Sequence, residues 1–137
     1  MSIALALIFA APPASAVASP GRPALVAPRI DRGAFCSRNP QLVVAVTGFT
    51  PPRTGHVDLR VSLRTDDGRR RALGTAGIFP EQAFSASLDE AQKFGFALPK
   101  AALARHPRVI VEIAGAGTGA RAVIAEARIG PAPGDRC

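Results

Sequence analysis

The stretch His56–Arg64 (HVDLRVSLR) constrains this chain more than any other. Val57, Leu59, Val61 and Leu63 alternate with Asp58, Arg60, Ser62 and Arg64. Successive side chains of an extended chain point to opposite faces, so this period of two describes a half-buried strand. A helix would scatter the same residues around its surface. Thr65-Asp66-Asp67-Gly68 comes next, and Asp-Gly favours a tight reversal because glycine accepts a positive φ. Arg69–Thr75 is the return strand, and residues 56–75 are expected to form a hairpin.

One amphipathic hairpin cannot bury its own apolar face, so other segments must supply a second layer. Gln41–Phe49 is rich in β-branched residues, and Phe94, Phe96 and Leu98 alternate with Gly95 and Ala97. Val109–Ala114 is another strand, and Ala120–Ile129 carries Val123, Ala125, Ala127 and Ile129 on one side. Gly115–Gly119 reads as the hairpin turn between these two. It is not a phosphate loop, since it lacks the lysine and the following helix of one. Gly77–Pro80 reads as a short strand or the end of one. Helix is confined to a turn through Asp89-Glu90 capped by Ser87, and to Pro99–Arg105, which Pro107 stops. The pattern suits an antiparallel sandwich or open barrel. The expectation is an all-β, antiparallel β-sandwich of about seven strands with one or two short helical turns.

The N-terminus has a different character. Ile3–Ala11 is an unbroken apolar run of nine, too short to span a bilayer, and Ala14-Ser15-Ala16 and Ala16-Val17-Ala18 resemble cleavage sites. Residues 1–18 are expected to be a secretory signal peptide, although Met1 and Ser2 supply no basic side chain. Pro20, Pro23 and Pro28 make residues 19–34 an extended lead-in, with the sandwich over 35–137. The mature protein is then secreted or periplasmic, with no transmembrane segment. In such a compartment Cys36 and Cys137 are expected to pair. The loop closed spans about 100 residues, for which chain entropy gives about 4–5 kcal/mol.

Composition narrows the chemistry. The chain has 137 residues, two histidines, no Trp or Tyr, and its single methionine is Met1. His56 and His106 are far apart and are expected to be lone surface histidines, so no metal or other cofactor is foreseen. No serine lies in a nucleophile context, both cysteines are assigned to the bridge, and Asp66 and Asp67 are explained by their turn. No catalytic residue is therefore nominated, and the expectation is a protein that is not an enzyme.

Several landmarks occur together. They are Gly48-Phe49, Pro51-Pro52, Thr54-Gly55-His56-Val57, Gly74-Thr75-Ala76-Gly77-Ile78-Phe79, the Phe94–Leu98 strand and its Pro-led helix, and the Val109–Ile113 and Val123–Ile129 pair. Over residues 41–130 this series resembles the small β-sandwich domain that follows the di-copper domain of tyrosinases, polyphenol oxidases and haemocyanin-like proteins. The resemblance implies a shielding or accessory role beside an exported copper oxidase. The histidine-rich copper domain itself has no counterpart here.

Charge supplies the alternative. Lys plus Arg number 17 against 10 acidic residues, a net +7, and only Lys93 and Lys100 are lysine. Arg60 and Arg64 lie on the polar face of one hairpin strand, and Arg69, Arg70 and Arg71 open its partner. Read from sequence these five form one cationic patch, suited to a polyanion of the cell envelope because guanidinium groups match phosphate and carboxylate geometry. Nucleic acid is not an expected partner, given export and the lack of Tyr and Trp for stacking. The sequence thus favours an exported, non-enzymatic β-sandwich binding or accessory module. Its expected partner is another exported protein or an anionic polymer.

Overall fold

The hairpin forms where the alternation places it. The structure is a computed structural model that describes residues 15–115 and 118–135. In it β5 (Asp58–Arg64) pairs antiparallel with β6 (Arg70–Ala76), and Val57, Leu59, Val61 and Leu63 are all buried. Gly68 N–H donates to Thr65 O at 3.0 Å, and Gly68 adopts φ +82°, the left-handed bulge that a short hairpin loop requires.

The other strands are β1 (Ala16–Ala18), β2 (Ala24–Val26), β3 (Arg29–Ile30), β4 (Gln41–Thr50), β7 (Phe84–Ser85), β8 (Gln92–Ala97), β9 (Arg108–Ala114) and β10 (Arg121–Gly130). They make two sheets. The larger runs β1-β10-β4-β7, with β3 also on β10 and β8 also on β4; the smaller runs β2-β9-β5-β6. Every pairing is antiparallel except β3 with β10. Their facing sides share one core of Leu42, Val44, Val46, Leu59, Val61, Leu63, Phe96, Val109, Val111, Ile124 and Ile129, among others. The all-β sandwich is as expected, with ten strands among the described residues in place of about seven.

The additional strands are short, and three fall in the Pro-rich segment. β1 lies against β10, β2 against β9, and Ala18 and Ala24 are buried, so residues 16–30 join both sheets. The prolines stand between these strands, where a missing N–H breaks no ladder. Residues 16–18 belong to the expected signal segment; cleavage after Ala18 would remove β1 and leave β2 and β3. The apolar run Ile3–Ala11 lies outside the described residues. Among the described residues no helix is long and apolar enough to cross a membrane.

Two local expectations are corrected. β9 and β10 do not form a hairpin: β9 is flanked by β2 and β5, β10 by β1 and β4, so Gly115–Gly119 crosses between layers. Residues 116 and 117 of that connection lie outside the described set. The side assignment along β10 also changes midway, because bulges fall between Val123 and Ile124 and between Ile124 and Glu126. Ala122 and Ile124 face the core before the bulge, Ala127 and Ile129 after it, and Val123 and Ala125 are only half-buried. Opposite lies Gly48, where a Cβ would come within 3.0 Å of Val123 Cγ2.

Three 3-10 turns complete the chain, at Arg32–Phe35, Leu88–Glu90 and Lys100–Arg105. Ser87 precedes the second, but its side chain forms no cap bond, and Pro99 is extended rather than the first helical residue. Cys36 follows the first turn, whereas Cys137 lies outside the described residues. Their neighbours are tied together: buried Ser37 donates its hydroxyl to Asp135 Oδ2 at 2.5 Å and accepts from Ala132 N–H at 3.1 Å.

Ser37→Ala strips both partners at once and is expected to cost about 1–3 kcal/mol in chemical denaturation. Leu59→Ala, at the centre of the core, is expected to cost about 2–5 kcal/mol in the same measurement. A Ser37 variant as stable as the parent would show that the C-terminal segment is not held by this serine.

Candidate anion-binding site

Because Leu59, Val61 and Leu63 point inward, Arg60, Ser62 and Arg64 point outward, and register carries that choice to the neighbouring strands. Arg64 stands directly opposite Arg70 on β6 and opposite Arg108 on β9. Three exposed arginines therefore form a row across β9, β5 and β6. In the row four residues along, Arg60 lies between Thr75 and Glu112. Arg70 forms an ion pair with Glu112, two strands away across β5, and the outward Ser62 between their rows is buried. Arg64 and Arg108 make no ion pair among the described residues.

The pleat thus divides the five arginines. Arg60, Arg64 and Arg70 share the outer face. Arg71 stands opposite Leu63 and leaves the sheet on the inner side, while Arg69 closes the turn. Two grooves flank that turn. The outer one, about 410 Å³, is lined by Leu25, Arg64, Thr65, Asp66, Gly68, His106 and Arg108. The inner one, about 450 Å³, has Leu63, Pro99, Ala101 and Ala102 as its apolar wall and Arg69, Arg70, Arg71 and Arg105 around it. Asp66 N–H donates to Arg105 O at 2.8 Å, which fixes the turn against the Lys100–Arg105 segment and brings Arg105 into place.

The turn's carboxylates are already engaged. Asp67 accepts from the Thr65 hydroxyl at 2.5 Å and from Arg69 N–H at 3.1 Å, and it pairs with Arg69 Nε at 3.6 Å. The Thr65 bond first, then the Arg69 amide, hold its carboxyl below the ordinary 3.8, with the charges of Arg69 and Arg105 adding. Asp66 meets His106 Nδ1 at 3.2 Å. At this end of the smaller sheet the exposed guanidinium groups share the surface with His106 and with the partly exposed Asp66. Arg105 and Arg108 were not among the candidates from sequence. They lie some forty positions from the turn, and no local pattern links them to it.

A second polar cluster lies at the opposite end of β5. His56 Nδ1 is 2.7 Å from Glu81 Oε2 and its Nε2 is 2.9 Å from Asp58 Oδ1; Glu81 Oε1 accepts from Val57 N–H at 3.2 Å. Both histidines are exposed as expected, but neither is alone. His56 stands between its two carboxylates, and among the described residues no three His, Cys, Asp or Glu side chains are grouped to hold a metal ion. Both ring nitrogens can donate only in the imidazolium. The Glu81 bond first, and the Asp58 bond second, accordingly raise His56 above the ordinary 6.5. The His56 bond, then the Val57 amide, lower Glu81 below 4.5. No family model, curated protein or solved structure matches this chain.

The signs of these shifts define a pH window. The His56 contribution is fully present below pH 6.5 and is lost as pH rises through the raised value; that of Glu81 is present above pH 4.5 and is lost as pH falls through the lowered one. His56→Gln is expected to lower Tm between these limits and to lose that effect once pH has risen through the raised His56 value. An equal loss at both ends of the range would mean that the side chain packs there without its charge.

Proposed function

We propose that the chain is an exported, non-catalytic β-sandwich binding module whose ligand is anionic. The observation that carries this reading is the row Arg108, Arg64 and Arg70, with like charges directly opposite one another across three strands. Such neighbours repel by roughly 0.2–1 kcal/mol per pair, and an anion lying along the row removes that repulsion. Arg70 has Glu112; Arg64 and Arg108 are the two whose charge is offered outward. Guanidinium pairs with phosphate, sulfate and carboxylate in two-point geometry, which suits repeated anionic groups.

The resemblance to the tyrosinase-associated domain supports a second reading, in which the partner is an exported copper oxidase. The two-sheet fold is the observation in its favour, and co-purification of such an oxidase with the module is its test. In either case the compartment is secreted or periplasmic, and Cys36 is bridged to Cys137. The Ser37–Asp135 bond supports that bridge by drawing the two segments together.

Retention on a heparin resin is expected to be salt-sensitive. Elution is expected at lower salt when Arg64 and Arg108 become Ala, and when Arg69, Arg70 and Arg71 become Ala. Retention unchanged by both sets would overturn the anionic-ligand reading. For the bridge, neither cysteine of the exported protein is expected to be alkylated before reduction. Replacing Cys36 and Cys137 by Ser is expected to cost up to about 4–5 kcal/mol.

A further inference from the structure

We infer that the ligand is an extended acidic polypeptide that adds to the free edge of β6, with apolar side chains seated in the inner groove; this rests on the anionic-ligand reading. β6 pairs with β5 on one side and, among the described residues, with no strand on the other. Its backbone makes no hydrogen bond outward among those residues. An open edge of seven residues offers alternating N–H and C=O groups, the main-chain half of strand addition.

The first residues of β6 run directly into the inner groove. Arg69, Arg70, Arg71 and Arg105 stand around it, and its wall is Leu63, Pro99, Ala101 and Ala102. A bare polyanion would satisfy the arginines and leave that apolar wall wet. A strand of alternating acidic and apolar residues satisfies both, because its side chains also alternate between two faces. The charge around the groove selects the partner's sign, since a basic strand at this edge would meet like charge.

The test uses a synthetic peptide of alternating Glu and Val, about ten residues long, against the full chain by isothermal titration or fluorescence anisotropy. Binding is expected, weakened about tenfold by Arg71→Ala with Arg105→Ala and less than about threefold by Arg64→Ala with Arg108→Ala. The same peptide N-methylated at alternate residues, which blocks strand pairing without altering the protein, is expected to lose binding. A Lys-Val peptide is expected not to bind. The inference is overturned if N-methylation has no effect, if the Arg71 and Arg105 variant binds normally, or if no binding of the Glu-Val peptide is seen. Heparin retention lost in the Arg64 and Arg108 variant would then leave the anionic-ligand reading standing, with an anionic polymer as the ligand. No binding of the Glu-Val peptide together with heparin retention unchanged by both sets of arginine substitutions would end both.

Discussion

The pleat of β5 governs the rest of the molecule. Val57, Leu59, Val61 and Leu63 are each no more than 2% exposed, and burying side chains of this size is worth roughly 1.5–3 kcal/mol apiece. Against that, the repulsion between arginines facing one another is roughly 0.2–1 kcal/mol per pair. The core therefore dictates register, and the arginines take whatever positions register leaves them. A slip of one residue would move Arg60 and Arg64 into the core and all four apolar residues into water. The charged row is thus a consequence of burial on the opposite face, held by a term several times larger than the one opposing it.

That hierarchy explains what could be read from the chain alone. The β5–β6 hairpin was legible because its period and its Asp-Gly turn are both local, and each residue's face follows from parity. Parity also separates Arg71 from Arg64 and Arg70, a division visible only once Leu63 is paired with Arg71. The β10 assignment failed for a related reason: a bulge near Ile124 resets parity, and nothing in Val123–Ile129 announces it. Gly115–Gly119 looked like a hairpin turn because glycine marks a reversal without saying which sheet the next strand joins. That choice was made elsewhere, by β2 and β5 occupying both sides of β9. Short strands such as β1 and β2 have no periodicity to detect, since three residues hold barely one alternation. Arg105 escaped notice because only the docking of the Lys100–Arg105 segment against the turn brings it there, and Arg108 because only the β5–β9 register does.

The acidic residues sharpen this picture. Asp66 and Asp67, explained from sequence by their turn, are in space engaged by Thr65, Arg69 and His106. A carboxylate satisfied by an amide and a hydroxyl organises its own loop and screens its neighbours less. Glu112 takes Arg70 from across β5, so one cation is paired while Arg64 and Arg108 are left beside it. At the other end of β5, His56 stands against two carboxylates, Glu81 and Asp58, so this cluster keeps a net negative charge. The two ends of one strand therefore differ in sign: one with negative charge in slight surplus, the other with positive.

Arginines beside an exposed edge strand have an ordinary explanation, because charge at an edge deters unwanted pairing with another chain. Deterrence needs only that the edge strand itself carry charge, as Arg70 and Arg71 already ensure. It does not require Arg105, which comes from a separate segment and is fixed beside the groove by a backbone bond from the turn. Nor does deterrence explain why the space next to these charges is walled by Leu63, Pro99 and two alanines, since a guarded edge is safer without an apolar recess. A charged rim over an apolar wall repels most strands and admits one kind. The side chains that would repel a second copy of this basic chain are those that would hold an acidic partner in place.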